Sequence, residues 1–242
     1  MIRRVAVISD IHANLPALVA SLRAIDAIGV DAVYCGGDLV GYGPHPIGVC
    51  RLIQGRAIPT IYGNYDYAIG RDLENCGCAY VTQADRELGQ VSVAWTLAHT
   101  DQHSKDFMRG LPFDLRFKLG EQQRVRLVHG SPREVNEYLV VDKPARTFER
   151  IAADADCDVL VFGHTHKPWV REYNGVLFVN CGSIGRPTDG DPRAAFAFLE
   201  LDTAGRVRAS IERVLYDAQA VAHEVAATGL PRKYASKLVA AT

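Results

Sequence analysis

Five short polar motifs constrain this chain of 242 residues more than any other feature. Each motif follows a run of apolar residues that has the length and composition of a buried β-strand. In chain order they are Asp10-Ile11-His12, Gly37-Asp38, Gly63-Asn64-Tyr65-Asp66, His129-Gly130 and Gly163-His164-Thr165-His166. Sites in open α/β sheets form beyond the carboxyl ends of the strands. We therefore expect the five motifs to lie along one rim of the fold.

The side chains in these motifs are ligands for divalent cations. Seven of them offer oxygen or nitrogen atoms, namely Asp10, His12, Asp38, Asn64, His129, His164 and His166. Imidazole nitrogens suit several first-row metals, and carboxylate and amide oxygens add harder ligands. Within Asp10/His12 and His164/His166 the alternate spacing predicts an extended backbone that points both side chains the same way.

Apolar periodicity predicts an α/β fold. In the first third, strands at 5–8, 32–35 and 57–62 alternate with helices, which indicates a parallel βαβαβ unit. Residues 67–113 lose this rhythm and are predicted as a helical insertion beside the strand ends. Further strands are predicted at 114–119, 125–128, 158–162, 168–173, 176–180, 194–201 and 207–215, with helices at 145–155 and 217–228. The turn Asn174-Gly175 favours an antiparallel hairpin.

Composition argues against several functions. The 27 basic and 28 acidic residues nearly cancel, so we expect no strong nucleic-acid footprint and no membrane attraction. The six cysteines lack the spacing of a zinc site and are too few for a disulfide scaffold, so we interpret even Cys76-Gly77-Cys78 as ordinary thiols. No apolar run approaches the ~20 residues of a transmembrane helix. These features favour a cytoplasmic location.

The five motifs in this order resemble those of the calcineurin-like metallophosphoesterase superfamily, and the 182–193 loop resembles its YfcE-like phosphodiesterase branch. The family pattern is D-x-H, G-D, G-N-H-[DE], a His before Gly, and G-H-x-H. The resemblance covers essentially the whole length. It implies an α/β fold, a four-layer α/β/β/α sandwich of two mixed sheets with flanking helices and the helical insertion, in a single domain spanning 1–242.

The resemblance also implies a ligand set for two divalent metal ions. Asp10, His12 and His166 would hold the first ion, Asp38 would bridge the pair, and Asn64, His129 and His164 would complete the second. The ions could be Mn, Fe, Ni, Zn or Mg, with Mn favoured. Such a pair lowers the pKa of a shared water, which gives a hydroxide that attacks phosphorus. Asp38 and Asn64 are therefore expected to be catalytic.

Tyr65 stands where most catalytic members carry a His that contacts phosphate and helps to protonate the leaving group. Losing a positioned acid typically costs about 10²–10⁴ in rate, and poor leaving groups suffer most. The sequence therefore favours a phosphodiesterase or a hydrolase of nucleotide phosphoanhydrides. Tyr65 could itself donate a proton, or it could only pack. Asp66, which would normally steady that His, could bond to Tyr65 or to the backbone.

Two further residues are candidates for substrate contact. Arg186 could bind phosphate through its guanidinium, or it could pair with Asp189 or Asp191 to fix its loop. His45 follows the Gly41-Tyr42-Gly43-Pro44 stretch after Asp38 and could also reach the substrate.

Two alternative functions remain open from the sequence. One is a phosphomonoesterase or serine/threonine protein phosphatase, which the loss of the motif His disfavours. The other is a non-catalytic scaffold of the same fold, as in the retromer subunit that also lacks this His. The complete ligand set disfavours a scaffold. The expected partner is a small phosphodiester or nucleotide, and the sequence leaves the oligomeric state undetermined.

Overall fold

The computed structural model describes residues 2–80 and 82–242. Its strands are β1 (Arg4–Ile8), β2 (Ala32–Cys35), β3 (Asp114–Leu119), β4 (Gln123–Val128), β5 (Val159–Phe162), β6 (Trp169–Tyr173), β7 (Val176–Asn180), β8 (Ala194–Leu201) and β9 (Val207–Val214). Its helices are α1 (Leu15–Ile28), α2 (Pro46–Gly55), α3 (Asn64–Gly70), α4 (Gln83–Ala98), α5 (Gln102–Arg109), α6 (Ala145–Asp154), α7 (Ala218–Ala227) and α8 (Arg232–Ala240).

The strands form two mixed sheets. The first has the order β2-β1-β8-β9, in which β1 runs parallel to β2 and antiparallel to β8. The second has the order β3-β4-β5-β7-β6, with a parallel centre and an antiparallel strand at each edge. This arrangement confirms the predicted α/β fold with two mixed sheets.

One hydrophobic cluster joins the two sheets. Val5 and Val7 of β1 share it with Val125 of β4, Val161 of β5 and Val179 of β7. Successive strand residues point to opposite faces, so the alternate residues of β1 face away from the second sheet. The sheets therefore pack face to face, as the resemblance implies.

Helices cover the two outer faces. Ala6 and Ile8 of β1 belong to a cluster that includes Leu18 and Leu22 of α1. On the other side, residues of α6 pack against β5 and β7 in a cluster rich in aromatic side chains. The result is the predicted four-layer α/β/β/α sandwich.

Local signals set the ends of α1. The side chain of Asn14 accepts a hydrogen bond from the backbone N–H of Ala17, and Pro16 lies in the first turn. Gly29 ends the helix in the left-handed conformation, at φ +73°. These are the capping interactions that stabilise the orphan backbone groups of a helix.

Two sequence predictions were wrong in detail. In the predicted strand 57–62, only Thr60 pairs with β2, through a single bridge to Cys35. Pro59 lacks the N–H that a longer ladder needs. The helix predicted at 217–228 is present as α7, but a further helix that the sequence did not predict, α8, follows the break at Gly229 and Pro231.

The insertion is helical, and its first helix begins earlier than predicted. Helix α3 starts at Asn64, inside the third motif, and packs against α5. At Gly70 a Cβ atom would lie 3.0 Å from the backbone nitrogen of Arg109, which shows how closely these two helices approach. No helix within residues 2–80 and 82–242 has the length and hydropathy needed to cross a bilayer.

Phe178 provides a test of the outer cluster. Its fully buried ring contacts Phe148 and Tyr173 edge-on, with centroids 5.6 and 5.5 Å away. We expect Phe178→Ala to lower the free energy of unfolding by about 3–5 kcal/mol, because it leaves a cavity. Urea denaturation measures the change. Leu215→Ala is the control, since Leu215 is 79% exposed; an equal loss in both variants would contradict the assignment.

Candidate metal centre

The motifs converge because backbone hydrogen bonds join the turns that follow the strands. The N–H of Asp10 donates to Gly37 O at 2.9 Å, and the N–H of His12 donates to Asp38 O at 2.9 Å. In the second sheet, the N–H of Gly163 donates to His129 O at 2.9 Å. The loops after β1, β2, β4 and β5 therefore meet at one rim, as predicted.

The backbone at the site is not extended, which corrects the expectation drawn from alternate spacing. Five of the seven predicted ligands have positive φ, namely Asp10 (53°), His12 (48°), Asp38 (52°), His164 (63°) and His166 (58°). Left-handed backbone costs a non-glycine residue of the order of 1–3 kcal/mol and is concentrated at functional sites. The side chains converge because the chain turns sharply at each of these residues.

Six of the predicted ligands form two groups of three. Asp10, His12 and His166 make the first group, and Asp38, His129 and His164 make the second. Within each group the candidate ligand atoms lie within 4.8 Å of one another, and all six residues are buried.

Asp38 lies between the two groups. Its Oδ2 is 3.7 Å from His12 Nε2 and 3.5 Å from His129 Nε2, while its Oδ1 accepts a hydrogen bond from the N–H of Tyr65. Asn64 is the seventh predicted ligand, and its Oδ1 is 3.2 Å from His129 Nε2. This position suits Asp38 to bridge two cations.

Backbone carbonyls fix the orientation of three imidazoles. Because a carbonyl oxygen can only accept, Nδ1 of His12, His129 and His166 must be the donor in each case. The acceptors are, in that order, the carbonyls of Val40 (3.0 Å), Gly36 (2.8 Å) and Arg186 (2.7 Å). Metal-binding histidines are usually held by a bond from their other ring nitrogen. Here that arrangement leaves Nε2 facing the site.

Several of the atoms that face the site have no hydrogen bond. Asp10 Oδ1 and His164 Nε2 are buried without a partner. The Nε2 atoms of His12 and His166 are only 2.9 Å apart, although neutral rings that donate through Nδ1 have no Nε2 hydrogen to share. Buried polar atoms are nearly always paired. Unpaired donor atoms converging on one point fit a bound cation.

Electrostatics favours the charge states that metal ligands need. Burial, together with His166, lowers the pKa of His12 to about 3. Burial and His129 lower the pKa of His164 to about 4. Burial alone would raise the pKa of Asp10, but the nearby His166 brings it well below its usual range. At neutral pH these groups are therefore a carboxylate and two neutral rings.

His129 shows how much negative charge the second group concentrates. Burial lowers its pKa, but the carboxylates of Asp38 and Asp10 outweigh this effect and raise it to about 10. A proton on His129 thus supplies the positive charge that a cation would bring.

Two glycines leave room for the carboxylates. A Cβ on Gly63 would lie 2.1 Å from Asp38 Oδ1, and one on Gly163 would lie 2.2 Å from Asp10 Oδ2. Gly63 has φ −91°, so at this position the constraint is space and not backbone freedom. Close contact with these carboxylates is therefore what requires glycine at both turns.

Asp66 bonds to the backbone, which was one of its two predicted alternatives. Its carboxylate accepts hydrogen bonds from the N–H groups of Gly63 (2.9 Å), Asp38 (2.7 Å) and Leu39 (2.9 Å). Burial, and then the charge of Asp38, raise its pKa to about 7. Asp66 therefore ties the turn after β2 to the first turn of α3.

Tyr65 is fully buried beside the first group. Its ring meets His12 edge-on at 5.6 Å and Tyr42 at 4.8 Å. The hydroxyl has no hydrogen-bond partner, and burial raises its pKa well above 10. Tyr65 therefore keeps its proton at neutral pH. Tyr42 and the thiols of Cys76 and Cys78 lie close enough to contribute to the shift.

An open cavity of about 110 Å³ leads to the ligands. Arg186 lines it, with the guanidinium 4.4 Å from the centre of the Tyr42 ring. In the described part of the chain Arg186 makes no ion pair, whereas Arg193 pairs with Asp191 at 2.6 Å and Asp189 pairs with Arg213. The loop is therefore fixed without Arg186, whose charge faces the cavity.

His45 is not brought to this cavity. Its Nε2 lies 2.6 Å from Glu224 Oε2, and its ring lines a separate groove beside Trp95 and Gly229. The position of His45 does not support the predicted contact with substrate.

The sequence interpretation missed three residues of the cavity wall, which are Cys78, Tyr138 and Thr188. The Tyr138 ring lies 4.1 Å from that of His164. Tyr138 and Cys78 come from irregular segments where apolar periodicity is uninformative. Thr188 belongs to the 182–193 loop, whose resemblance to the phosphodiesterase branch was the available signal.

Comparisons with known proteins agree with this geometry. A sequence model of the calcineurin-like phosphoesterase superfamily domain matches residues 4–204. The chain is 29% identical to an uncharacterized protein of Methanocaldococcus jannaschii, across 97% of this chain and 96% of that protein. It is 26% identical to phosphodiesterase YfcE of Escherichia coli K12, across 80% of this chain and 85% of that protein.

A solved structure supports the same assignment. A metallophosphoesterase from Sphaerobacter thermophilus superposes with a TM-score of 0.79 at 27% identity, and 100% of each chain is covered. Because the family match extends over most of its length, the chain belongs to the calcineurin-like phosphoesterase superfamily and is a phosphoesterase of the hydrolase class.

Proposed function

We propose that this phosphoesterase uses two divalent cations to hydrolyse phosphodiesters or nucleotide phosphoanhydrides. The observation that carries the proposal is the convergence of buried, unpaired ligand atoms on both sides of Asp38. Asp10 Oδ1 and His164 Nε2 make no hydrogen bond, and His166 Nε2 lies 2.9 Å from His12 Nε2 and 3.2 Å from Asp10 Oδ1.

The two groups of ligands would each hold one cation. Asp10, His12 and His166 form the first site, and Asn64, His129 and His164 form the second, with Asp38 shared. Nitrogen and oxygen donors in this ratio suit several first-row ions, among which we favour Mn²⁺. When bound, such a pair supplies a hydroxide at neutral pH and stabilises charge on the phosphoryl oxygens.

The residues of the wall would position the substrate. Arg186 faces the cavity without a carboxylate partner in the described chain, so its guanidinium is free to bind a phosphoryl oxygen. Asn64 lies at the cavity surface and would contact the same group. The wall also contains the aromatic rings of Tyr42 and Tyr138. They suit a substrate that carries an organic group on phosphorus.

The preference for diesters and anhydrides depends on Tyr65. With a tyrosine in place of the motif His, the cavity lacks the usual acid for an alkoxide leaving group. The leaving groups of aryl esters and phosphoanhydrides need less help from a proton donor, so the hydrolysis rates of these substrates should fall least. The similarity to a protein named as a phosphodiesterase supports the same choice.

We extend the proposal to the setting of the enzyme. All six cysteines are free thiols, which is consistent with a reducing compartment such as the cytoplasm. Residues 1–242 would act as one domain on a small substrate, with 67–113 as an insertion beside the site.

A substrate panel tests the proposal. With Mn²⁺, Ni²⁺, Mg²⁺ or Zn²⁺ present, we expect turnover of bis-(p-nitrophenyl) phosphate and a dinucleoside polyphosphate, and little of phosphoserine. Faster hydrolysis of phosphoserine would favour the phosphomonoesterase alternative. Calorimetry with Mn²⁺ tests the scaffold alternative, because the absence of Mn²⁺ binding would favour a scaffold over an enzyme.

Asp38→Asn tests the shared ligand. We expect kcat/KM on the aryl diester to fall at least about a hundredfold, because a neutral amide offsets the repulsion of two cations poorly and metal stabilisation provides several kcal/mol. His223→Ala is the control, since that exposed imidazole lies on α7 outside both groups. Equal activities for Asp38→Asn and wild type would refute the bridging role.

Tyr65→Phe decides between packing and proton donation. We expect kcat on the diester to change less than about twofold, because the buried hydroxyl makes no hydrogen bond to any predicted ligand. Stability should stay equal or rise, since a buried unpaired hydroxyl is removed. The value of kcat and the free energy of unfolding are measured on one preparation, by steady-state kinetics and by urea denaturation. A loss of 10² or more in kcat would instead make Tyr65 the acid.

Arg186→Ala tests phosphate recognition. A charge-assisted hydrogen bond contributes about 1.5–3 kcal/mol, so kcat/KM should fall roughly tenfold to a hundredfold. Arg193→Ala is a matched control from the same loop, because that arginine is already paired with Asp191. If both variants keep wild-type kinetics, Arg186 does not bind the substrate.

A further inference from the structure

Two thiols lie in the wall of the metal-binding cavity. Cys76 Sγ and Cys78 Sγ are 2.8 Å apart. Cys76 is buried, while Cys78 is half-buried and lines the cavity. Gly77 between them has φ +72°, a left-handed conformation that brings both side chains to the same side of the turn. Asn136 Nδ2 donates to Gly77 O at 3.0 Å and holds the turn in place.

This turn fixes the orientation of Asn64. Asn64 Nδ2 donates to Cys76 O at 3.0 Å and to Cys78 Sγ at 3.2 Å. Both hydrogens of the amide are thereby used, and hydrogen-bond partners decide which way an amide faces. Oδ1 must then point the other way, towards His129 Nε2. Cys78 is therefore a positioning residue for Asn64.

We propose that Cys76 and Cys78 form a reversible intramolecular disulfide, and that this oxidation weakens cation binding at the second site by loosening Asn64. The inference rests on the proposed function in one respect, because it takes Asn64 as a ligand. It assigns the thiol pair a role that the sequence interpretation did not give it.

The oxidant is a hydroperoxide small enough to enter the cavity. Cys78 Sγ attacks one peroxide oxygen, the O–O bond breaks, and the leaving oxygen departs as water in the case of hydrogen peroxide, with the thiol proton. Cys76 Sγ then attacks the sulfenic sulfur of Cys78, so that an S–S bond forms and a second water leaves. The two sulfurs lose two electrons and two protons, and a dithiol reductant returns them by exchange.

The geometry links this reaction to the ligand. Forming the bond brings the sulfurs from 2.8 Å to the ~2.0 Å of a disulfide. Cys78 Sγ thereby moves towards Cys76, and the closed ring also shifts the carbonyl of Cys76. The two atoms that accept hydrogen bonds from Asn64 Nδ2 therefore change position together. Loss of such outer contacts typically weakens metal affinity about 10–100-fold.

The test uses the full chain freed of metal. After hydrogen peroxide and alkylation, mass spectrometry should find the peptide with both cysteines two hydrogens lighter and unalkylated. Calorimetric titration should give two Mn²⁺ ions per reduced chain. In the oxidised chain one ion should bind about 10–100-fold more weakly while the other is unchanged. Dithiothreitol should reduce the disulfide in the same wild-type protein, so that both cysteines become alkylated again and the weakened Mn²⁺ affinity recovers.

Variants separate the pair from the other thiols. Cys76→Ser keeps the backbone carbonyl that Asn64 uses, so Mn²⁺ binding should match the reduced wild type, and no disulfide should form. Cys157→Ser removes a cysteine from the cluster beside α6 and should respond to peroxide like the wild type.

Two results would overturn the inference. One is the absence of the Cys76–Cys78 disulfide in oxidised wild type, and the other is a disulfide that leaves both Mn²⁺ affinities unchanged. A reduced chain that binds no Mn²⁺ would instead overturn the proposed function, and the titration reveals this before any oxidant is added.

Discussion

The structure depends on holding imidazole nitrogens and carboxylate oxygens close together in the buried interior. His12 and His166 bring their Nε2 atoms to 2.9 Å, and Asp10 and Asp38 bring two carboxylates against the same rings. In a low-dielectric interior such an arrangement is unfavourable without positive charge. It persists because backbone carbonyls accept hydrogen bonds from Nδ1 of three imidazoles, and because Asp66 accepts hydrogen bonds from the turn that carries Asp38. The ligands are thus oriented by bonds that do not involve a cation.

The two sheets supply the rigidity that this arrangement requires. Five non-glycine residues at the rim adopt left-handed backbone, a strain that only a surrounding fold can maintain. Each of those turns directly follows a strand packed between the sheets or against a helical layer. The cost of the site is offset by burial elsewhere, as is common where strain and function coincide.

Apolar runs predicted most strands and the place of the motif residues, whereas the family resemblance implied the four-layer packing and the metal ligands. Strand-like runs such as 32–35 and 176–180 are continuous and apolar, so their limits match β2 and β7. Polar residues after such runs must lie at a rim. Periodicity could not give the left-handed turns or the single bridge at Thr60, which depend on Pro59 and on contacts between distant loops. Nor could it place His45 against Glu224, a residue far along the chain.

The surroundings of Arg186 include a residue from beyond the stretch that the family model matches. The family match ends at residue 204, whereas α7 and α8 follow it. From α8, Tyr234 packs edge-on against Tyr42 at 5.0 Å and comes within 5.9 Å of the Arg186 guanidinium. Arg186 thus lies near an aromatic residue within the matched stretch and near one of α8. The proposed chemistry would therefore come from the five motifs, while the position of Arg186, the proposed phosphate contact, would depend on a segment beyond them.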